Sequence, residues 1–179
     1  LIDADDQGTA TGFTSQRTEM LGDPGYTAVK LSGVDVRTQV LRLAPMFADI
    51  VIDVGGRDTP GLRAALVVAD VALIPFQPRS FDIWTHGTIT GLIEESRVYN
   101  EGLRALAVIN CADPFGTNNV EAAEALRSLE GIEVLPCQVG RRIAFPNASA
   151  DGLSVAELKR PDAKATAEIA TLIATIFPE

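Results

Sequence analysis

Short, wholly apolar runs alternate along this chain with longer stretches of mixed polarity. The clearest run is Ile50 to Val54, IVIDV, which carries a single aspartate and leads into Gly55 and Gly56. It shows no alternation between apolar and polar positions. Both faces of such a segment are expected to be covered, as in a central strand of a parallel sheet with helices on either side. Val71 to Phe76 and Leu103 to Ile109 read the same way. So does Ile132 to Leu135, ending at Pro136. LIDAD at the start reads as the tail of a strand, with Asp6-Gln7-Gly8 as its turn, and Tyr26 to Leu31 is a short strand candidate.

The intervening stretches suit helices. Thr9 to Met20 is a mostly polar helix candidate, closed by the Gly22 to Gly25 turn GDPG. Asp35 is placed to cap a helix to about Leu43, with Val36, Val40 and Leu43 on one face and Pro45 interrupting it. Thr59-Pro60 opens a helix to about Ala69, with proline in the first turn where it is tolerated. A long helix begins at Ser80 or Phe81 and runs to about Tyr99, with Ile83, Trp84, Ile89, Leu92 and Ile93 at its apolar positions. Val120 to Leu129 is a further helix, Arg141 to Ser149 a short helix or ordered loop, and Ala163 to Phe177 a closing helix with Ile169, Leu172, Ile173 and Ile176 toward the core. Alternating strands and helices give an α/β fold, a doubly wound and mainly parallel sheet with helices on both faces. No repeat, low-complexity tract or linker interrupts residues 1–179, so a single domain is expected.

Composition narrows the function. The 179 residues are 46% hydrophobic and 22% charged, ordinary for a globular domain with a sizeable core. The net charge of −9 argues against a chain that is basic throughout, though not against a local basic patch. Cys111 and Cys137 show no CxxC spacing and no histidine close by in sequence. That makes a zinc site improbable and a reducing, cytoplasmic setting the default. Both cysteines read as apolar packing residues. No apolar run reaches the ~18 residues of a membrane span, and no signal peptide is expected.

The predicted strands end at Asp3 and Asp5, at Asp53, at Pro75 to Pro78, at Asn110, and at Pro136 to Gln138. In a parallel sheet these ends open on one edge, where ligands bind in open α/β folds. Acids crowd the earlier strands, while an amide and a proline turn stand on later ones. Such a layout suits a nucleotide, with the acids ordering Mg2+ and a water near the phosphates and the amide and proline turn at the base. Mg2+ takes only one or two carboxylates beside water and phosphate oxygens. Each residue also has a plainer reading. Asp53 and Asp3 can cap turns, and Asn110 can form one. His86 beside Gly87 reads as a surface or packing residue, and Trp84 as a core or dimer-contact residue.

In order along the chain, LIDADDQGTAT, ADIVIDVGGRDTP, ADVALIPFQPRSFDIW, VINC and RRIAFPNASADGLSVAEL resemble segments of the ParA/MinD-type deviant-Walker ATPases, and most of all the plasmid and chromosome partition proteins of ParF-like type. The resemblance implies a P-loop NTPase-like fold, ATP/ADP and Mg2+ as cofactors, and ATP hydrolysis coupled to DNA segregation or cargo positioning. It implies Asp5 as the catalytic acid that positions the attacking water, with Asp3 beside it among the cofactor-binding residues. It implies Asp53 in the magnesium shell, Gly55 and Gly56 in a switch loop near the γ-phosphate, Asn110 reading the adenine and Pro136 near the base. It also implies a homodimer on ATP binding, a ParB/ParG-like centromere-binding partner, and a nucleoid-associated cytoplasmic protein.

Arg141 and Arg142 are candidate contacts for non-specific DNA, as is the pair Lys159-Arg160, against solvated or helix-end charges. MinD-type proteins end in a basic membrane-lying helix. Residues 163–177 carry Lys164 alone as a cation, so no membrane binding is expected.

Three departures stand out. Asp6 replaces the proline usual in the first motif, and Gly55-Gly56 replaces the commoner Asp-Thr-Pro-Pro switch loop. The family's phosphate-binding Lys-Gly-Gly-x-Gly-Lys-Thr run is absent from these 179 residues. The expectation is that it lies upstream of Leu1 and that the 179 residues alone do not hydrolyse ATP. The alternatives are a non-catalytic scaffold on the same fold and a dethiobiotin-synthetase-like ligase.

Overall fold

The computed structural model of the protein describes residues 1–78 and 83–177. The expected helix start at Ser80 or Phe81 and the motif residue Asp82 lie outside the described residues. The side chains of Ile83, Trp84 and His86, on which the readings of those residues rest, lie outside it as well. The chain divides into two compact units.

The first unit comprises Leu1–Asp70, Glu95–Leu103 and Ala150–Gly152. Its elements are β1 (Ile2–Asp3), α1 (Thr9–Leu21), β2 (Val29–Lys30), α2 (Asp35–Leu43), one 3-10 turn (Ala44–Met46), β3 (Ile52–Asp53) and α3 (Pro60–Leu66). The strands form a parallel sheet in the order β2-β1-β3. Ile2, Val36, Val40 and Ala65 are its buried centre, with Leu43, Ile50, Ile52 and Val54 packed against them. IVIDV therefore supplies core residues, yet β3 stands at the edge of its sheet rather than at its centre. The apolar pattern reports that the faces of a strand are covered; it does not count the neighbours along its hydrogen-bonding edges.

Local chemistry explains the boundaries. The Thr59 hydroxyl accepts a hydrogen bond from the Leu62 amide at 3.1 Å, and Pro60 follows at the first helical position, so α3 starts where the sequence places it. At α2, Val34 occupies the cap position and Asp35 lies in the first turn, not at the cap; an acid there still faces the positive end of the helix dipole.

The second unit comprises Val71–Glu94, Arg104–Ser149 and Leu153–Glu179. It contains β4 (Val71–Phe76), most of α4 (Ile83–Arg97), β5 (Arg104–Ala112), α5 (Asn118–Arg127), β6 (Glu133–Gly140), α6 (Ala144–Ala150) and α7 (Ala163–Ile176). Its sheet, also parallel, runs β4-β5-β6. Leu106, Val108 and Leu135 form one buried cluster, with Leu172 and Ile176 of α7 laid against it. Cys137 packs there too. Ala144, Ala148, Val155 and Ala165 form another, joined by Ile169. Ile173, expected toward the core, is exposed. Its neighbours at Ile169, Leu172 and Ile176 already complete the inward face of the helix. The Asp162 carboxylate caps α7, accepting from the Lys164 and Ala165 amides at 3.0 and 3.1 Å.

Every pairing between the described strands is parallel, as expected, but the strands fall into two three-stranded sheets where one was expected. Two boundaries also shift. β5 continues through Asn110 and Cys111 to Ala112, and β6 continues through Pro136 to Gly140. Neither residue therefore ends its strand. Pro136 is accommodated because β6 is an edge strand and the register slips around it: Ala107 pairs with Val134, but Ile109, two residues on, pairs with Gln138, four residues on. A residue with no amide hydrogen fits such a bulge.

Candidate functional site

In the first unit β1 and β3 run side by side in register, so Asp3 stands opposite Asp53, with Lys30 of β2 opposite Asp3 on the other side. Three carboxylates, those of Asp3, Asp5 and Asp53, gather at the carboxyl end of this sheet.

Asp3 is only 2% exposed. Its Oδ2 accepts from the Thr11 amide at 2.7 Å and from the Thr11 hydroxyl at 2.5 Å, and its Oδ1 accepts from the Asp5 amide at 3.3 Å. Burial works against its charge. The Thr11 hydroxyl, the Thr11 and Asp5 amides and the Lys30 ammonium outweigh burial and hold the carboxyl below the usual aspartate range. Thr11 and Lys30 were not singled out in the sequence. The only signal for Thr11 was its place three residues into a helix that starts beside a strand-end acid.

Asp53 is in the opposite condition. Partial burial, then the like charges of Asp3 and Asp5, push its carboxyl above the usual range. The Asp5 carboxylate accepts from the Gln7 amide at 3.1 Å. Gly55 packs directly on it: a Cβ at Gly55 would lie 3.3 Å from Asp5 Oδ1. Gly56 has open space where a Cβ would stand, so the two glycines of the loop are not equivalent. The far end of that loop is fixed. Asp58 pairs with Arg63 at 2.6 and 2.8 Å, and Arg63 reaches Glu95 at 2.5 Å.

Among the described residues no group of three His, Cys, Asp or Glu side chains is arranged to hold a metal ion by itself. Mg2+ asks for less, one or two carboxylates completed by water and phosphate oxygens. Asp3 has its oxygens engaged by protein donors. Asp5 and Asp53 remain as hard oxygen donors, and the repulsion felt by Asp53 is the charge imbalance that a divalent cation relieves. This donor set fits Mg2+.

Asn110, Pro136, Arg141 and Arg142 belong to the second unit. Asn110 lines a cavity of about 590 Å³ together with the apolar side chains of Leu73, Pro75, Val108, Val139, Phe145 and Leu172. Pro136 lines a separate cavity of about 190 Å³ with Ile109, Asn119 and Arg127. The expectation that both meet one base is thus not matched by a shared cavity. Arg142 is engaged by Glu168, which accepts from its guanidinium at 2.5 and 3.1 Å and from the Gly140 amide at 3.0 Å. Arg141 is exposed. Among the described residues no helix is long and apolar enough to cross a membrane.

No family model matches the chain. It is 27% identical over 180 residues to the "Maintenance of carboxysome distribution protein A" of Halothiobacillus neapolitanus (strain ATCC 23641 / c2), a match covering 99% of this chain and 82% of that protein. A crystal structure of a plasmid partition protein from Borrelia burgdorferi superimposes with a TM-score of 0.58 over 99% of this chain and 85% of the other, at 14% identity. The fold is therefore that of the P-loop NTPase-like partition proteins, with parallel sheets flanked by helices. Together with the ordered motifs, the similarity to the carboxysome-distribution protein supports a ParA/MinD-type family.

Proposed function

We propose that this chain is the nucleotide-binding domain of a ParA-type ATPase that uses ATP binding and hydrolysis to partition DNA or to position a cargo. The observation that carries the reading is the convergence of Asp5, Asp53 and Gly55 beside a buried Asp3 that accepts three hydrogen bonds. Support also comes from relatives named for plasmid partition and for carboxysome distribution. The two units together are read as one domain.

In this reading Asp53 holds Mg2+ through water, and the ion supplies charge neutralisation at the phosphates. Asp5 orients the attacking water and accepts its proton in hydrogen-bonding contact. Gly55 lets the loop lie against the Asp5 carboxylate, and Gly56, with open space around it, is the residue free to swing as the loop responds to nucleotide. Asn110, which lines a largely apolar cavity of about 590 Å³, is the base contact. The ATP-bound form is a homodimer that engages non-specific DNA in the cytoplasm at the nucleoid, and a ParB/ParG-like partner stimulates turnover.

The 179 residues contain no Gly-rich phosphate loop, and without one they are not expected to hydrolyse ATP. The test is ATP hydrolysis by the intact protein with and without Asp5→Ala. Loss of a general acid–base group lowers the rate by about 10²–10⁴-fold. Unchanged turnover in the variant would remove Asp5 from the chemistry.

A further inference from the structure

Helix α1 begins without a side-chain cap of its own. The residue before it is Gly8, in a left-handed conformation at φ 68°, and no side chain at that position bonds the first turn. The first amides of a helix have no intrahelical partner and need one from elsewhere. Here the partner comes from the strand. Asp3 reaches across the Asp5–Gly8 turn to accept from both the amide and the hydroxyl of Thr11, the third residue of α1. The same carboxylate holds the amide of Asp5. With 2% exposure it has no water to exchange these donors for, and an unmade bond to a buried carboxylate is expensive. Three donors thus fix one carboxylate, and that carboxylate in turn fixes the backbone at both ends of the turn that carries Asp5. The turn is closed from inside by the Gly8 amide on the Asp5 carbonyl at 3.1 Å and by the Gln7 amide on the Asp5 carboxylate.

We infer that Asp3 is a positioning residue for Asp5. Together with Thr11 it locks the Asp5–Gly8 turn onto the start of α1, so that the Asp5 carboxylate is presented against Gly55 in one arrangement. Asp3 acts from behind the turn and needs no contact with nucleotide or metal. The inference rests on the reading of Asp5 as the acid that orients the attacking water.

The test uses the intact protein and four variants. Thr11→Val keeps the shape and the amide of Thr11 but removes the hydroxyl from Asp3. The expected result is a fall in kcat for ATP hydrolysis of about tenfold with KM for ATP unchanged, because a small misplacement of a catalytic group costs rate and not affinity. Thr11→Ser restores the hydroxyl and is expected to restore kcat. A parallel readout needs no turnover: in Asp3→Asn the Asp5 and Thr11 amides exchange their hydrogens faster with solvent while the amides of β1 stay protected.

Wild-type kcat in Thr11→Val, beside an inactive Asp5→Ala, would overturn the positioning role and leave the functional reading standing. A loss in Thr11→Val that tracked melting temperature and was not rescued by serine would also overturn it. Wild-type turnover in Asp5→Ala would instead overturn the functional reading, and with it the catalytic purpose assigned to Asp3.

Discussion

Burial and the like charges of Asp3 and Asp5 disfavour the ionised form of Asp53, and Asp3 is its register partner in the sheet. A carboxyl raised above its unfolded value binds protons more readily in the folded chain. Between the ordinary aspartate value and the raised one, the native state carries more protons than the unfolded state, so stability falls as pH rises through that window. Asp53→Asn removes the repulsion. The variant is expected to melt higher than the parent at neutral pH, with the gain vanishing as pH drops below the ordinary aspartate range, while its Mg2+-dependent turnover is lost. Melting curves across pH check this, and identical curves at neutral pH would show that Asp53 is not repelled. Asp3 has the opposite sign: its carboxyl is lowered, so its contribution is present above the unfolded value and is lost as pH falls through the lowered one. The two aspartates cannot be told apart in the sequence, where each is an acid at the end of an apolar strand. Their difference comes from Thr11, eight residues downstream of one of them.

Elements whose ends are marked by local chemistry were legible, and those set by tertiary contacts were not. Thr59-Pro60 announced α3, and the uninterrupted VALIPF run gave the limits of β4. The extra residues of β5 and β6 come from pairing with each other, which no local signal carries. The partner of Arg142 was also hidden, since Glu168 lies 26 residues away on α7. Helix α1 shows the same division. It has no buried residue and an even spread of polarity, so hydrogen bonds do much to place it. Asp3 holds its start, and the Thr14 hydroxyl meets the Tyr26 hydroxyl at 3.1 Å. Arg17 donates to the Pro24 carbonyl at 2.8 Å and to the Gly152 carbonyl at 3.1 Å. Gly152 meets the helix backbone so closely that a Cβ would stand 2.4 Å from the Arg17 nitrogen, and its φ is +65°. Gly152→Ala is therefore expected to destabilise the protein by about 1–3 kcal/mol, the cost of a strained backbone residue. The readout is the denaturant midpoint at constant slope, and a midpoint equal to the parent's would mean that the contact yields without strain.

At the scale of the whole molecule, the net charge of −9 makes any attraction to DNA a local matter. The basic pair at 141–142 is chemically split. Arg142 is paired with Glu168, which also accepts from the Gly140 amide at the end of β6, and Arg141 is exposed. Arg141→Ala is expected to weaken non-specific DNA binding by the intact protein and to lower the slope of log affinity against log salt by about 1, as for one phosphate contact. Arg142→Ala is expected to change that slope less. Anisotropy titrations over a salt series decide it, and a slope in Arg141→Ala equal to the parent's would take Arg141 out of the interface. The alternating α/β order and the parallel sense of pairing were written in the apolar runs. The division into two three-stranded sheets was not, because an apolar strand looks alike whether it has one neighbour or two. One feature of the second sheet bears on how the protein behaves in a crowded cell. β6 forms a sheet edge, and an edge of regular, unpaired amides and carbonyls invites another strand to zip onto it. Pro136 deletes one amide hydrogen and sits where the register slips, so this edge offers an interrupted template. An edge interrupted in this way resists irreversible self-association by strand addition.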